Sequence, residues 1–185
     1  MVTFNGSGSG VKSIQSTPQL QLTQFSLLCW FKTSKNYTPS PDGGEGMMIT
    51  KGGWISDKQG KQLSYGIWIS DANHLRAGFE TADGTDNILT TSGTKVNDGK
   101  WHHGAITYDQ QKLKIYLDGK LFKEMATTAI PEKNDIPLVI GKNPLTYRTG
   151  YFTGELSDIR VYNKGIPDTQ VQSIYNLNTG LVYIV

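Results

Sequence analysis

The chain has 185 residues, with 18 Lys and Arg against 16 Asp and Glu for a net charge of +2, and 37% of it is apolar. That length suffices for one domain over 1–185 with a substantial core, and the interspersed, nearly balanced charge supplies no basic stripe for a nucleic acid. No run of about 18 apolar residues offers a membrane span, and the lone cysteine, Cys29, lies in an apolar strand pattern that predicts a buried free thiol.

Apolar and polar residues alternate in short stretches broken by turn residues, 21 of them glycine. From the N-terminus this pattern predicts strands over 2–4, 10–14, 25–32, 47–51, 65–70, 75–80 and 87–91. Further strands are predicted over 101–108, 113–117, 120–125, 138–141 and 154–162. The stretch 34–46, rich in Pro and Gly, reads as a surface loop. A single helix is predicted over 167–175, with Val171, Ile174 and Tyr175 on its apolar side, and a last strand over 180–185. Many short strands separated by turns describe a β-sandwich rather than an α/β fold.

Strand parity sorts the side chains, because successive residues point to opposite faces. Phe25, Leu27, Cys29 and Phe31 share one face, as do Tyr65, Ile67 and Ile69, then Leu75, Ala77 and Phe79, then Leu113, Ile115 and Leu117, then Ile159 and Val161. These predict the core, with Trp101 largely buried at its edge. Trp30, Trp68, His74, Arg76, Glu80, Tyr116, Arg160 and Tyr162 fall on the outward faces.

Several segments carry a resemblance when taken in order. They are Phe4-Asn5-Gly6, the strand 22–32 ending Trp30-Phe31-Lys32, the turn Lys51-Gly52-Gly53, the run Trp101-His102-His103 with its partner Tyr116-Leu117-Asp118-Gly119, and 152–166. The chain resembles the laminin-G-like, pentraxin-like branch of the concanavalin A-like lectin/glucanase superfamily over nearly its whole length. The resemblance implies an all-β fold, a two-sheet antiparallel jelly-roll sandwich with one short C-terminal helix, in which strand 180–185 pairs near the first strand. It also implies a non-catalytic, lectin-like carbohydrate-binding module of a larger secreted or surface protein. That module would be extracellular, its leader already removed, beside other domains of the same chain. The alternative is a protein-interaction, adhesion or structural fibre module. A polysaccharide lyase or hydrolase ranks below both.

Aromatic rings stack on sugar faces, and Arg, His and carboxylate groups bind hydroxyls, so the outward set is suited to a polysaccharide or other glycan. Trp68, Arg76 and Glu80 are expected on one surface with His74, and Trp54 and Tyr37 belong to loops expected beside it. Catalysis is not expected. The Glu-x-Asp-x-x-Glu spacing of glucanases of this fold is absent, and the lyase-like set Arg76, Glu80, Tyr116 and Tyr162 lacks the motifs of the alginate lyases. His102 and His103 are adjacent on a strand and point apart, which argues for packing and hydrogen bonding rather than a shared metal ion. The resemblance does imply a structural calcium ion. It is expected between Asn5 and Asp158 on neighbouring terminal strands, or in the loop Asp83-Gly84-Thr85-Asp86-Asn87, which also suits ordinary turn chemistry.

Overall fold

The computed structural model describes residues 1–40, 44–53, 63–145 and 150–177, and in it two six-stranded antiparallel sheets pack face to face. The first sheet is ordered β1 (Val2–Asn5), β12 (Thr153–Tyr162), β3 (Phe25–Lys32), β8 (Trp101–Tyr108), β9 (Lys112–Leu117), β10 (Lys120–Ala126). The second runs β2 (Lys12–Ile14), β11 (Leu138–Ile140), β4 (Gly46–Lys51), β5 (Tyr65–Ile69), β6 (Leu75–Glu80), β7 (Asp86–Thr90). One helix follows, α1 (Asp168–Asn176). Each expected strand through 162 forms. A 3-10 turn at Pro18–Leu20 was not expected from the alternation, and the expected strand 180–185 lies outside the described residues.

The inward set forms the core between the sheets, Phe25, Leu27, Phe31, Ile67, Ile69, Phe79 and Ile115 all without exposed surface. Phe79 packs on Tyr108 with ring centroids 4.8 Å apart, and Phe25 meets Tyr65 at 5.4 Å. Gly104, opposite Cys29, lets the sheets close here, since a Cβ would sit 3.1–3.2 Å from Leu75, Ile67 and Phe31. Cys29 is buried and free, and burial pushes its thiol up to about 12, which removes thiolate chemistry.

Strand β3 is apolar on both faces because both are covered. Its outer residue Leu28 joins Ala105 and Tyr116 against Ile166, Val171 and Ile174 of the α1 segment. Fully burying side chains such as Val171 and Ile174 is worth about 1.5–3 kcal/mol each. Lys114 Nζ and Tyr116 Oη both donate to the Asp168 carboxylate at 2.7 and 2.8 Å, and Ser26 Oγ accepts from the Ile166 N–H at 3.0 Å. Trp101 departs from expectation: it is 37% exposed. It opens β8 on this outer face, opposite Lys32, and the ring contacts of α1 go instead to Trp30 and His103.

Candidate functional site

Across the outer face of the second sheet, register sets Met47, Trp68, Arg76 and Thr90 in one row on β4, β5, β6 and β7. Glu45, one residue before β4, reaches over this row. Its Oε1 accepts from the Trp68 indole N–H at 3.2 Å and from Arg76 Nη1 at 3.3 Å. The Arg76 guanidinium carbon lies 5.6 Å from the Trp68 ring centroid, within cation–π range. Two charged side chains are thus fixed on one indole, the Arg76 side chain 28% and the Glu45 side chain 12% exposed.

Trp68 itself has no exposed surface, which corrects the expectation of a surface ring. Met47 and Leu63 are buried with it in a small cluster bordered by Ile88. Parity assigned the face correctly, but the chain returning to β5 at Leu63 covers it. Arg76 is therefore the reachable part of the expected surface, and Trp68 its floor.

Glu80 is also buried. Its Oε2 accepts from the Leu63 N–H at 2.7 Å, while its own N–H donates to the Leu63 carbonyl at 2.7 Å. Burial pushes this carboxyl up to about 7 against the Leu63 hydrogen bond, and the nearby Asp86 and Glu132 add to the rise. Glu80 thus latches the chain at Leu63 instead of facing a ligand. Gly78, between Arg76 and Glu80, has φ +150°, and a Cβ there would lie 2.0 Å from the Asn87 carbonyl oxygen.

Tyr37 is buried as well. Its hydroxyl oxygen accepts from the Thr153 N–H at 2.9 Å, its own N–H donates to Asn73 Oδ1 at 2.7 Å, and its ring fills the space where a side chain at Gly46 would be. It anchors the loop that delivers Glu45 and does not present a ring to solvent. His74 is half-buried in the turn between β5 and β6, its backbone tied to Ser70. Trp54 lies outside the described residues. Glu45 was missed because an acid in a Gly-rich loop, with no aromatic or basic residue immediately beside it, gives no signal of the two partners, Trp68 and Arg76, that it reaches in the fold.

The expected calcium ligands do not meet. Asn5 pairs with Thr153, five residues from Asp158 along β12, roughly 17 Å at the usual strand rise. Asn5 Oδ1 accepts from the N–H groups of Ser7 and Ser9, at 3.0 and 3.1 Å. Asp158 is buried at a bulge with φ +46°, and both its oxygens accept from Arg160, at 2.8 and 2.9 Å. In the second loop Asp83 accepts from the Thr81 hydroxyl and the Thr85 N–H, which is turn closure. Among the described residues no group of three or more His, Cys, Asp and Glu is placed to hold a metal ion.

His102 is bracketed by two carboxylates, Nδ1 at 2.9 Å from Asp118 and Nε2 at 3.1 Å from Asp98, and the Asp118 hydrogen bond raises its pKa. Away from the polar row, a cleft of about 400 Å³ opens at the seam between the sheets. Its lining is mainly aliphatic, from Ile14, Leu138, Ile140 and Val161, with Gln19, Tyr162 and Asn163 among the lining residues.

A laminin-G-type family model, described as "Concanavalin A-like lectin/glucanases superfamily", matches residues 5–172. The chain belongs to the concanavalin A-like lectin/glucanase superfamily. A search of curated protein sequences finds no significant match. Among solved structures, this superfamily member is similar to the heptameric SAP-like pentraxin of Limulus polyphemus, with TM-score 0.66 and 13% identity over 99% of this chain and 84% of that one. It is likewise similar to the CBM40 of the Ruminococcus gnavus IT-sialidase bound to α2,3-sialyllactose, with TM-score 0.66 and 13% identity over 89% of this chain and 97% of that one. The binding domain of botulinum neurotoxin serotype G has TM-score 0.68 and 14% identity, over 95% of this chain and 42% of that one. The chain also spans 42% of the binding domain of Paraclostridial Mosquitocidal Protein 1. At such identities the likeness is one of fold.

Proposed function

We propose that this laminin-G-like domain is a non-catalytic glycan-binding module that takes its ligand at the outer face of the second sheet. The observation that carries the reading is the Arg76–Glu45 pair fixed on Trp68, a donor fork and an acceptor side by side on the outer face. Such a pair recognises vicinal hydroxyls through charge-assisted hydrogen bonds, worth about 1.5–3 kcal/mol each. Sialyllactose bound to a neighbour of the same fold supports this class of ligand. The non-catalytic part rests on Glu80, whose proton is shut away beneath Leu63. A place outside the cell or at its surface, beside further domains, belongs to the same proposal. Among the described residues no helix is long and apolar enough to cross a membrane.

Affinity electrophoresis against plant, algal and bacterial polysaccharides, together with a glycan array, tests the reading. At least one glycan should retain the protein, and Arg76→Ala and Glu45→Gln should each weaken retention about 10- to 100-fold, as loss of one charged hydrogen bond predicts, in variants that circular dichroism shows to be folded. Retention unaffected in both variants would move the site elsewhere. No retention on any glycan would favour the protein-interaction alternative.

A further inference from the structure

On the opposite side of the molecule, the last turn of α1 closes over the ring of His103. Tyr175 stacks on Trp30, centroids 5.4 Å apart and planes 18° apart, and also meets His103 at 5.8 Å. Trp30 meets His103 at 5.3 Å. His103 has no exposed surface, and neither of its ring nitrogens has a hydrogen-bond partner among the described residues. Ser157, opposite Trp30 on the other side, is buried with its hydroxyl unpartnered too.

A neutral imidazole tolerates an aromatic cage, but an imidazolium carries two N–H donors that need acceptors. The carboxylates nearby are already engaged. From the turn after β9, Asp118 accepts from the His103 backbone N–H and lies against the His102 ring. From β12, Asp158 is held by both arms of Arg160, and that guanidinium opposes a second cation beside it. Strand β3 brings the Trp30 indole and α1 brings the Tyr175 phenol, and His102 points to the other face of β8. We propose that His103 is an acid-sensitive latch, in which protonation of its ring releases helix α1 from the first sheet. Release uncovers the apolar strip Leu28, Ala105 and Tyr116, and the glycan reading is not needed for it.

The direction follows from linkage. Burial holds His103 down to about 4 from an ordinary 6.5, outweighing the pull of Asp158 and Asp118. The closed state therefore binds fewer protons than the open one, and its advantage, complete above 6.5, is lost as pH falls toward 4. Asp168, the other tie of α1, is held below its ordinary range by Lys114 and stays ionised over most of that window. The opening constant of α1 should rise about 100-fold between pH 7 and pH 4.

Native-state hydrogen exchange at both pH values, corrected for intrinsic rates, reads this directly. The α1 amides should exchange through an opening that leaves β4 and β5 protected, about 100-fold more frequent at pH 4, and His103→Phe should abolish the increase. An equal increase in His103→Phe, or α1 exchange only through the opening that also exposes β4 and β5, would overturn the proposal. Should the variant fail to fold, NMR titration of the imidazoles in the wild-type protein decides: His103 titrating near 6.5 in the folded state refutes the latch, and near 4 supports it.

Discussion

Glu80 offers a sharp test of how the loop that covers Trp68 is held. Its carboxyl is buried, accepts the Leu63 N–H, and faces Asp86 across β6 and β7. Burial, reinforced by Asp86 and Glu132, moves it from an ordinary 4.5 to about 7. The folded protein thus keeps this proton to higher pH than the unfolded chain does. The stabilisation is complete below 4.5 and is lost as pH rises through about 7. At about 1.36 kcal/mol per decade, the loss amounts to roughly 3 kcal/mol by pH 8. Glu80→Gln keeps an oxygen for the Leu63 N–H and carries no titrating proton, so it should match the wild type at pH 4.5 and exceed it by roughly 3 kcal/mol at pH 8. For a domain of this size that is roughly 6–12 °C in melting temperature. Urea unfolding at several values between pH 4.5 and 8 gives the measurement. His102, His103 and Lys51 titrate in both proteins, so the difference between the two curves isolates Glu80. Parallel curves, or a variant that is the less stable one at pH 8, would refute this account of the latch.

Phe79→Ala and Ile115→Ala each remove a fully buried inward side chain and should cost about 2–5 kcal/mol in urea unfolding; variants that melt like the parent would contradict the core assignment. Asp158→Ala strips Arg160 of its bidentate partner and should cost about 1.5–3 kcal/mol, by the same amount in calcium and in chelator. A cost that appears only with calcium present would show Asp158 holding an ion despite the strand register.

What the sequence determines by itself here is periodicity. Alternation in Phe25-Ser26-Leu27-Leu28-Cys29-Trp30-Phe31 and in 113–117 identifies both the strands and the side chains that meet between the sheets, because the two-residue repeat is a property of the extended backbone alone. Asp118-Gly119 marks its hairpin for the same local reason: both residues take positive φ, 50° and 75°, in a two-residue turn. Parity also names the outward face of Trp68, Arg76 and Glu80 correctly. It does not say what lies on top of that face. Leu63 reaches Trp68 and Glu80 from 5 and 17 positions away, Glu45 binds Arg76 from 31 away, and Ile174 of α1 covers Leu28 from 146 away. Asn5 and Asp158 lie on neighbouring strands as expected, but the pairing of Asn5 with Thr153 carries them far apart along the sheet. Burial, pairing of charges and register between distant segments depend on where the chain returns in space, which no local pattern encodes, and so exposure and the site itself were decided only by the tertiary structure.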